Sequence, residues 1–198
     1  MGKTGFVVFL VLLALSSVSL AAPYNHGGTW VEIEYWSGSG DSKAVCVIDF
    51  GGGDSHAFGY LWTGAATAWD MVQAMDAAGD LDMEYTMWNW GTAEDPVWVP
   101  GIDGFTYDTH TAISDWSTSF LGYWDSPDGV SWTPHMVGVA GRSLADGCWD
   151  GWSLEDPTIS YDPLNAPVTP VPEPATIGLM GMGLLCLLRR GRRRAAGS

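Results

Sequence analysis

The sequence predicts a mainly β (α+β) domain in which an antiparallel sheet packs against one α-helix. Apolar and polar residues alternate along several short stretches, which is typical of half-buried strands. Helical spacing of apolar residues stands out in one segment, near residue 70. Glycines and Asp-Gly pairs separate the alternating stretches, as hairpin turns do. These patterns fill residues 22–164, which we take as one domain.

The predicted strands follow one another along this domain. Thr29–Trp36 alternates strictly between apolar and polar residues. Lys43–Phe50 and His56–Trp62 are predicted to pair as a hairpin, because the glycine-rich turn Gly51–Asp54 joins them. Further strands are predicted at Met83–Trp90, Gly104–Tyr107, Ser119–Trp124, Trp132–Val139 and Trp149–Leu154.

The predicted helix spans Ala68–Ala78. Thr67 and Asp70 have the spacing of a capping box, with Asp in place of the usual Glu. Gly79 is a typical C-terminal stop. Apolar residues repeat at helical spacing in this segment: Ala68, Met71, Val72 and Met75. Such a stripe is typical of a helix that packs on a sheet, so we expect it in the core rather than in a cofactor site.

Residues 22–174 carry a formal charge of −21, because they hold all 23 acidic residues of the chain but only Lys43 and Arg142 among its eight basic ones. A surface this negative repels nucleic-acid phosphates and anionic lipid headgroups, which excludes both as binding partners of this region. Intrinsic disorder is excluded as well, since the region also holds all twelve tryptophans.

The first 21 residues have the features of a secretory signal peptide. Lys3 provides the positive start, and residues 6–15 are an unbroken apolar run. Ser19 and Ala21 place small residues before the bond between Ala21 and Ala22, which we expect a signal peptidase to cleave. The alternative is an uncleaved membrane anchor, which the short apolar run disfavours.

The other end of the chain has three consecutive parts. A proline-rich stalk, residues 165–174, ends in a four-residue motif: Val171, Pro172, Glu173 and Pro174. Residues 175–188 are apolar and are predicted to form a short transmembrane helix. A basic tail, residues 189–198, is predicted to be cytoplasmic because five arginines favour that side of a membrane: Arg189, Arg190, Arg192, Arg193 and Arg194.

This order of parts resembles the PEP-CTERM sorting signal of exopolysaccharide-producing Gram-negative bacteria, over about residues 170–195. The resemblance implies that a membrane-embedded exosortase recognises the four-residue motif and cleaves the tail, while the arginines retain the tail at the membrane. It also implies export through the inner membrane, initial anchoring there, and transfer to the cell surface or the extracellular matrix.

The order of a hairpin, a helix and later strands is similar to that of β-grasp domains, including the C-terminal domain of cobalamin-carrier proteins. This resemblance implies a β-grasp-like sheet and a small-ligand-binding function. A compact β-sandwich is the alternative fold, because the resemblance rests on the order of the elements and not on a motif with known chemistry.

Cys46 and Cys148 are the two cysteines of the region between the signal and the tail. Export favours a disulfide bond between them, because disulfides persist in oxidising compartments. The alternative is two separate core cysteines, which fits the apolar face that Cys46 shares with Ile48 and Phe50 equally well.

The sequence contains no recognisable arrangement of catalytic residues, and we expect a protein that is not an enzyme. The four histidines have no metal-ligand spacing, and no Gly-x-Ser-x-Gly motif is present. Acidic turns make calcium the candidate cofactor. Its predicted ligands lie close together in the sequence: Asp76, Asp80, Asp82 and Glu84. A solvated acidic surface is the alternative.

Twelve tryptophans are too many for a domain of this size to bury completely, because each indole ring is large and its N–H group needs a partner. Some rings should therefore be exposed. Exposed flat rings beside acidic and amide groups suit the apolar faces and hydroxyl groups of sugars. The candidate sugar-binding residues are Trp36, Trp88 and Trp90, and the alternative is an aromatic-rich core.

These observations predict an exported, surface-sorted protein that is a structural or polysaccharide-binding component of the extracellular matrix. Two other classes stay open, a small-ligand-binding module and a small glycan hydrolase. A matrix-binding protein should align exposed tryptophans on one sheet face, and a small-ligand carrier should have one enclosed apolar pocket. A hydrolase needs two facing carboxylates in a groove.

Overall fold

The structure is a computed structural model of the chain, and it describes residues 22–160 and 162–172. The predicted signal peptide, transmembrane helix and basic tail lie outside these residues, as do Glu173 and Pro174 of the motif. The described part of the chain contains no helix that is long and apolar enough to cross a membrane.

The described residues contain ten strands and one α-helix. In chain order they are β1 (Ala22–His26), β2 (Thr29–Gly38), β3 (Ser42–Gly51), β4 (Asp54–Trp62), α1 (Ala68–Ala78), β5 (Leu81–Asn89), β6 (Trp98–Tyr107), β7 (His110–Ile113), β8 (Phe120–Ser126), β9 (Thr133–Pro134) and β10 (Trp149–Glu155). The mainly β class with a single short helix is therefore confirmed for the described residues.

The strands form two sheets. The larger sheet has seven strands in the order β1-β2-β4-β3-β10-β8-β9, and the smaller one has the order β5-β6-β7. The smaller sheet is antiparallel throughout. The larger sheet departs from the predicted antiparallel arrangement, because β2 pairs with β4 and β3 pairs with β10 in parallel orientation. The β-grasp-like and β-sandwich alternatives stay predictions.

The hairpin predicted over residues 43–62 is confirmed. β3 and β4 pair antiparallel, with Cys46 opposite Phe58. The turn between them has positive φ angles at Gly51, Gly52 and Gly53, which glycine adopts without a steric penalty. Strands β2, β5, β8 and β10 also lie where the alternating pattern predicts strands.

Four strands differ from the sequence-based expectation. The patterns do not predict β1 and β7, and β6 begins at Trp98 instead of Gly104. In place of a strand over Trp132–Val139, β9 has two residues and ends at Pro134. Proline has no N–H group to continue a ladder of hydrogen bonds, so a strand is not expected to extend through Pro134.

α1 has the predicted bounds and the predicted capping box. Asp70 N donates to Thr67 Oγ1 at 3.3 Å, and Thr67 N donates to Asp70 Oδ2 at 2.8 Å. Gly79 ends the helix in an extended conformation. A Cβ atom at Gly79 would lie 2.4 Å from Cζ of Tyr35, so glycine is required here for close packing. The apolar stripe is buried as predicted: Ala68, Met71, Val72 and Met75.

Two cores lie on opposite faces of the larger sheet. The main core is formed by α1, the smaller sheet and one face of the larger sheet, and its largest fully buried members include Phe58, Phe105 and Trp152. The second core is smaller and centres on Val45, Val47 and Trp149, among others. Neighbouring residues of β3 alternate between the two cores, which explains its nearly continuous apolar sequence.

The described part of the predicted stalk, residues 165–172, packs against the larger sheet. Glu32 N donates to the carbonyl oxygen of Pro170 at 3.2 Å. Val168 N donates to Asp49 Oδ2 at 3.0 Å. The chain that leads to the sorting motif is therefore held on the domain up to its last described residues.

Candidate functional site

The largest set of exposed apolar side chains lies on the hairpin formed by β5 and β6. We call residues 85–102 the aromatic hairpin. Trp88, Trp90 and Trp98 are 50%, 76% and 59% exposed. Three further exposed apolar side chains accompany them: Tyr85, Met87 and Val97. Contiguous exposed apolar groups of this kind typically mark an interaction surface.

The pairing of the smaller sheet explains why this hairpin is exposed. β5 is an edge strand, and β7 pairs with β6 only from Gly104 to Tyr107. In the rest of the aromatic hairpin, the described strands pair only with each other. Tyr85 packs against Trp69 of α1 with ring centroids 4.9 Å apart, which connects the base of the hairpin to the main core.

Hydrogen bonds hold the loop of the hairpin in one conformation. Asn89 Oδ1 accepts hydrogen bonds from Gly91 N at 2.9 Å and from Val97 N at 3.0 Å. Trp90 N donates to the carbonyl oxygen of Val97 at 2.8 Å, which continues the strand pairing beyond β5. The exposed rings are therefore carried by an ordered ribbon, so the hairpin loses less conformational entropy when a ligand binds.

Strand alternation distributes the rings over both faces of the ribbon. Trp88 and Trp90 share a face with Thr86, because these residues are two positions apart. Trp98 lies opposite Asn89 in the register, and so shares the other face with Met87. A Cβ atom at Gly101 would lie 2.8 Å from Nε1 of Trp88, so this glycine provides the space that the indole ring occupies.

The sequence-predicted sugar-binding residues are only partly brought together. Trp88 and Trp90 lie on the aromatic hairpin, but Trp36 lies on β2 of the larger sheet, where its ring is half-buried and makes a T-shaped contact with Tyr24. Sequence reasoning missed Trp98, because it placed the start of β6 six residues too late. Extending β6 back to Trp98 would have paired it with β5 and revealed this ring.

An acidic groove of about 540 Å³ lies at the start of β5. The described residues that line it include four carboxylates and neither lysine nor arginine. The lining residues are Glu34, His56, Asp80, Asp82, Thr106, Tyr107 and Asp108. His56 Nδ1 lies 2.7 Å from Glu34 Oε1, and the Tyr107 hydroxyl donates to Glu34 Oε2 at 3.3 Å. Burial and the neighbouring Glu34 carboxylate raise the pKa of Tyr107 to about 12.

The four candidate calcium ligands do not form a metal site. Among the described residues, no three His, Cys, Asp or Glu side chains are grouped so that they could hold a metal ion. Asp76 instead accepts a hydrogen bond from Met83 N at 2.8 Å.

The predicted disulfide bond is absent, since Cys46 and Cys148 are both free and buried. Cys46 pairs in register with Asp150, so Cys148 is offset from it by two residues along the neighbouring strand. This offset puts the two Cα atoms about 8 Å apart, beyond the reach of a disulfide. Burial raises the pKa of Cys148 to about 11 and that of Cys46 well above its usual range. Both are core cysteines, the alternative reading of the sequence.

Comparison with known families matches the PEP-CTERM protein-sorting motif to residues 170–194. Searches of curated proteins and of solved structures gave no match. The matched segment contains the four-residue motif and the five arginines that the sequence analysis singled out. The chain is thus a protein with a PEP-CTERM sorting signal, and the motif indicates an exported surface protein that an exosortase processes.

Proposed function

We propose that the domain is a non-enzymatic, polysaccharide-binding component of the extracellular matrix, and that it binds polysaccharide through the aromatic hairpin. The observation that carries this proposal is the exposure of Trp88, Trp90 and Trp98 on one ordered ribbon. Flat aromatic rings stack on the apolar faces of sugars, and an extended ribbon can present several rings along one polymer.

Polar groups next to the rings support a sugar ligand. Asp103 provides a carboxylate acceptor next to the hairpin, and Thr86, which shares the face of Trp88, donates its hydroxyl proton to Asp103 Oδ2. Sugar hydroxyl groups both donate and accept hydrogen bonds, so they match this mixture of acceptors and donors. A second copy of this chain is disfavoured as the occupant, because two domains with a strong negative charge repel each other.

The sorting signal supports the same function from the other end of the chain. Residues 170–194 match a sorting motif for export to the cell surface, where an exported protein is in contact with the polysaccharides of the surface and the matrix. The expected partners are then the signal peptidase and the exosortase during processing, and polysaccharide afterwards.

The test compares matched pairs of exposed tryptophans. The full-length chain, purified in mild detergent, is titrated with matrix polysaccharide from the organism that carries the gene, and binding is followed by calorimetry. The Trp88→Ala/Trp90→Ala variant should bind about tenfold more weakly, because it loses the two stacking rings that share one face of the ribbon. The control is Trp30→Ala/Trp116→Ala, which removes two rings that are 52% and 53% exposed elsewhere.

The control variant should bind like the unmodified chain. Equal losses in both variants, or unchanged binding in the hairpin variant, would show that the aromatic hairpin does not carry the interaction. Absence of binding by the unmodified chain would reject the polysaccharide proposal altogether.

A further inference from the structure

The face of β5 that carries Trp88 and Trp90 continues toward the acidic groove. Moving back along the strand from Trp88 by steps of two residues gives Thr86, Glu84 and then Asp82, all of them exposed. Asp82 is also one of the residues that line the acidic groove. The seven residues from Asp82 to Trp88 span about 20 Å, which is long enough for several sugar rings.

The charges along this path have one sign. Asp82 and Glu84 lie on the strand face itself, and the groove adds the carboxylates of Glu34, Asp80 and Asp108. The two basic residues of the described region are elsewhere. Arg142 is paired with Asp150, and Lys43 lies over the ring of Tyr24. A polymer that follows the strand face therefore passes from aromatic rings to carboxylates that no lysine or arginine of the described residues compensates.

This charge pattern selects among polysaccharides. A polymer rich in uronic acids would be repelled, because its carboxylates would approach those of Asp82 and Glu84. A neutral polymer would gain stacking alone. A polymer with free amine groups would gain charge-assisted hydrogen bonds to the carboxylates in addition to stacking on the rings.

We propose that the polysaccharide bound by the aromatic hairpin carries free amine groups, which pair with Asp82, Glu84 and the acidic groove while the sugar rings stack on Trp88 and Trp90. This inference rests on the proposed function, since it names the class of sugar that the same surface recognises. The tryptophans provide affinity for the sugar rings, and the carboxylates provide the preference for amino sugars.

The test uses two probes with one backbone. Chitosan oligosaccharide has free amines, and its fully N-acetylated counterpart does not. Each is titrated into the full-length chain in mild detergent at slightly acidic pH and low salt, with oligoalginate as the anionic probe. The free-amine form should bind about tenfold more tightly than the acetylated form, and high salt should remove this preference by screening the charges.

The decisive variant is Asp82→Asn/Glu84→Gln. It should lose most of the preference for the free-amine form, because it neutralises the two carboxylates on the strand face, and its affinity for the acetylated form should stay unchanged. The matched control is Asp41→Asn/Asp162→Asn, which removes the same number of charges from exposed residues outside the hairpin and the groove. The control should retain the preference for the free amine.

The outcomes separate this inference from the proposed function. Equal binding of both chitosan forms by the unmodified chain, tight binding of oligoalginate, or an equal loss of preference in the control variant would overturn the amino-sugar inference. Those results would leave the stacking surface intact as long as Trp88→Ala still weakens binding of the acetylated form. Failure of both forms to bind would overturn the inference. Binding of the acetylated form with unchanged affinity by Trp88→Ala would reject the proposed function as well.

Discussion

Asp150 is a fully buried carboxylate whose charge is balanced by Arg142 and which also accepts a hydrogen bond from Tyr123. Arg142 donates to Asp150 Oδ1 from Nη2 at 2.9 Å and from Nε at 3.2 Å, and the Tyr123 hydroxyl donates to Asp150 Oδ2 at 2.7 Å. Burial raises the pKa of Asp150, while the Arg142 charge and these hydrogen bonds act in the opposite direction. The cluster joins β8 and β10 to the loop that precedes β10, so Arg142 has a structural role.

Replacing Arg142 with methionine should destabilise the fold by about 3–5 kcal/mol near neutral pH, because it leaves a buried carboxylate without its counter-charge. The pKa of Asp150 should then rise further. A raised pKa in the folded state gives a contribution to stability that is fully present below the unfolded-state pKa and is lost as pH rises through the folded-state pKa.

The penalty of Arg142→Met should therefore be smaller near pH 4 than near pH 8, as measured by urea unfolding of both chains at about these pH values. Adding Asp150→Asn to the variant should recover part of the loss at the higher pH. An equal penalty at both pH values, with no recovery in the double variant, would contradict the assigned role of the Asp150 charge.

The sequence predicts that some tryptophans are exposed, but it does not predict which of them are buried. The number of rings alone predicts that some are exposed, and the structure exposes Trp88 and Trp90, while their binding of sugar stays a prediction. Which rings are buried depends on the partner strand, however. Trp149 and Trp152 are buried because β10 is a central strand, and no local pattern marks it as central.

Helix α1 is the element that the sequence predicts best. Its cap, its apolar stripe and its end are all local signals, and each of them acts within a few residues. β6 shows the opposite case, because Pro100 and Gly101 have the character of turn residues. Pro100 fits in this strand because β7 is too short to reach it, so β6 has only β5 as a paired neighbour at that position.

The capping box should make a measurable contribution to stability. Thr67→Ala removes the acceptor for Asp70 N and should lower the free energy of unfolding by about 1 kcal/mol. Thr67→Ser keeps a hydroxyl group at the cap and should cost a few tenths of that amount. Thermal unfolding of the three chains checks the prediction, and equal melting temperatures for Thr67→Ala and the unmodified chain would contradict it.

The topology of the molecule could not be predicted from its local patterns. The parallel pairs β2–β4 and β3–β10 join strands that are distant in sequence or not consecutive, and nothing in the alternation specifies them. The disulfide prediction failed for the same reason. Cys46 and Cys148 do lie in the same core, but a two-residue difference in register separates them.

Charge and exposed aromatic groups together define the working surface of the molecule. The net negative charge disfavours anionic partners, and the sorting motif at residues 170–194 implies export across the inner membrane. The aromatic hairpin is then the apolar surface that remains available to a neutral or cationic polymer. Ile102 and Tyr85 at its base pack against the main core or α1, but its tip, residues 87–100, contributes no side chain to either core, so removal of the tip should leave the fold intact.

The most direct test of the account removes the hairpin tip from the full-length chain. Replacing residues 87–100 with Asn-Gly joins the paired residues Thr86 and Gly101 by a two-residue turn. We predict a melting temperature close to that of the unmodified chain, and binding of matrix polysaccharide that is weaker by about tenfold or more. A shortened chain that melts normally and still binds the polysaccharide with unchanged affinity would contradict the central claim that the aromatic hairpin is the binding surface.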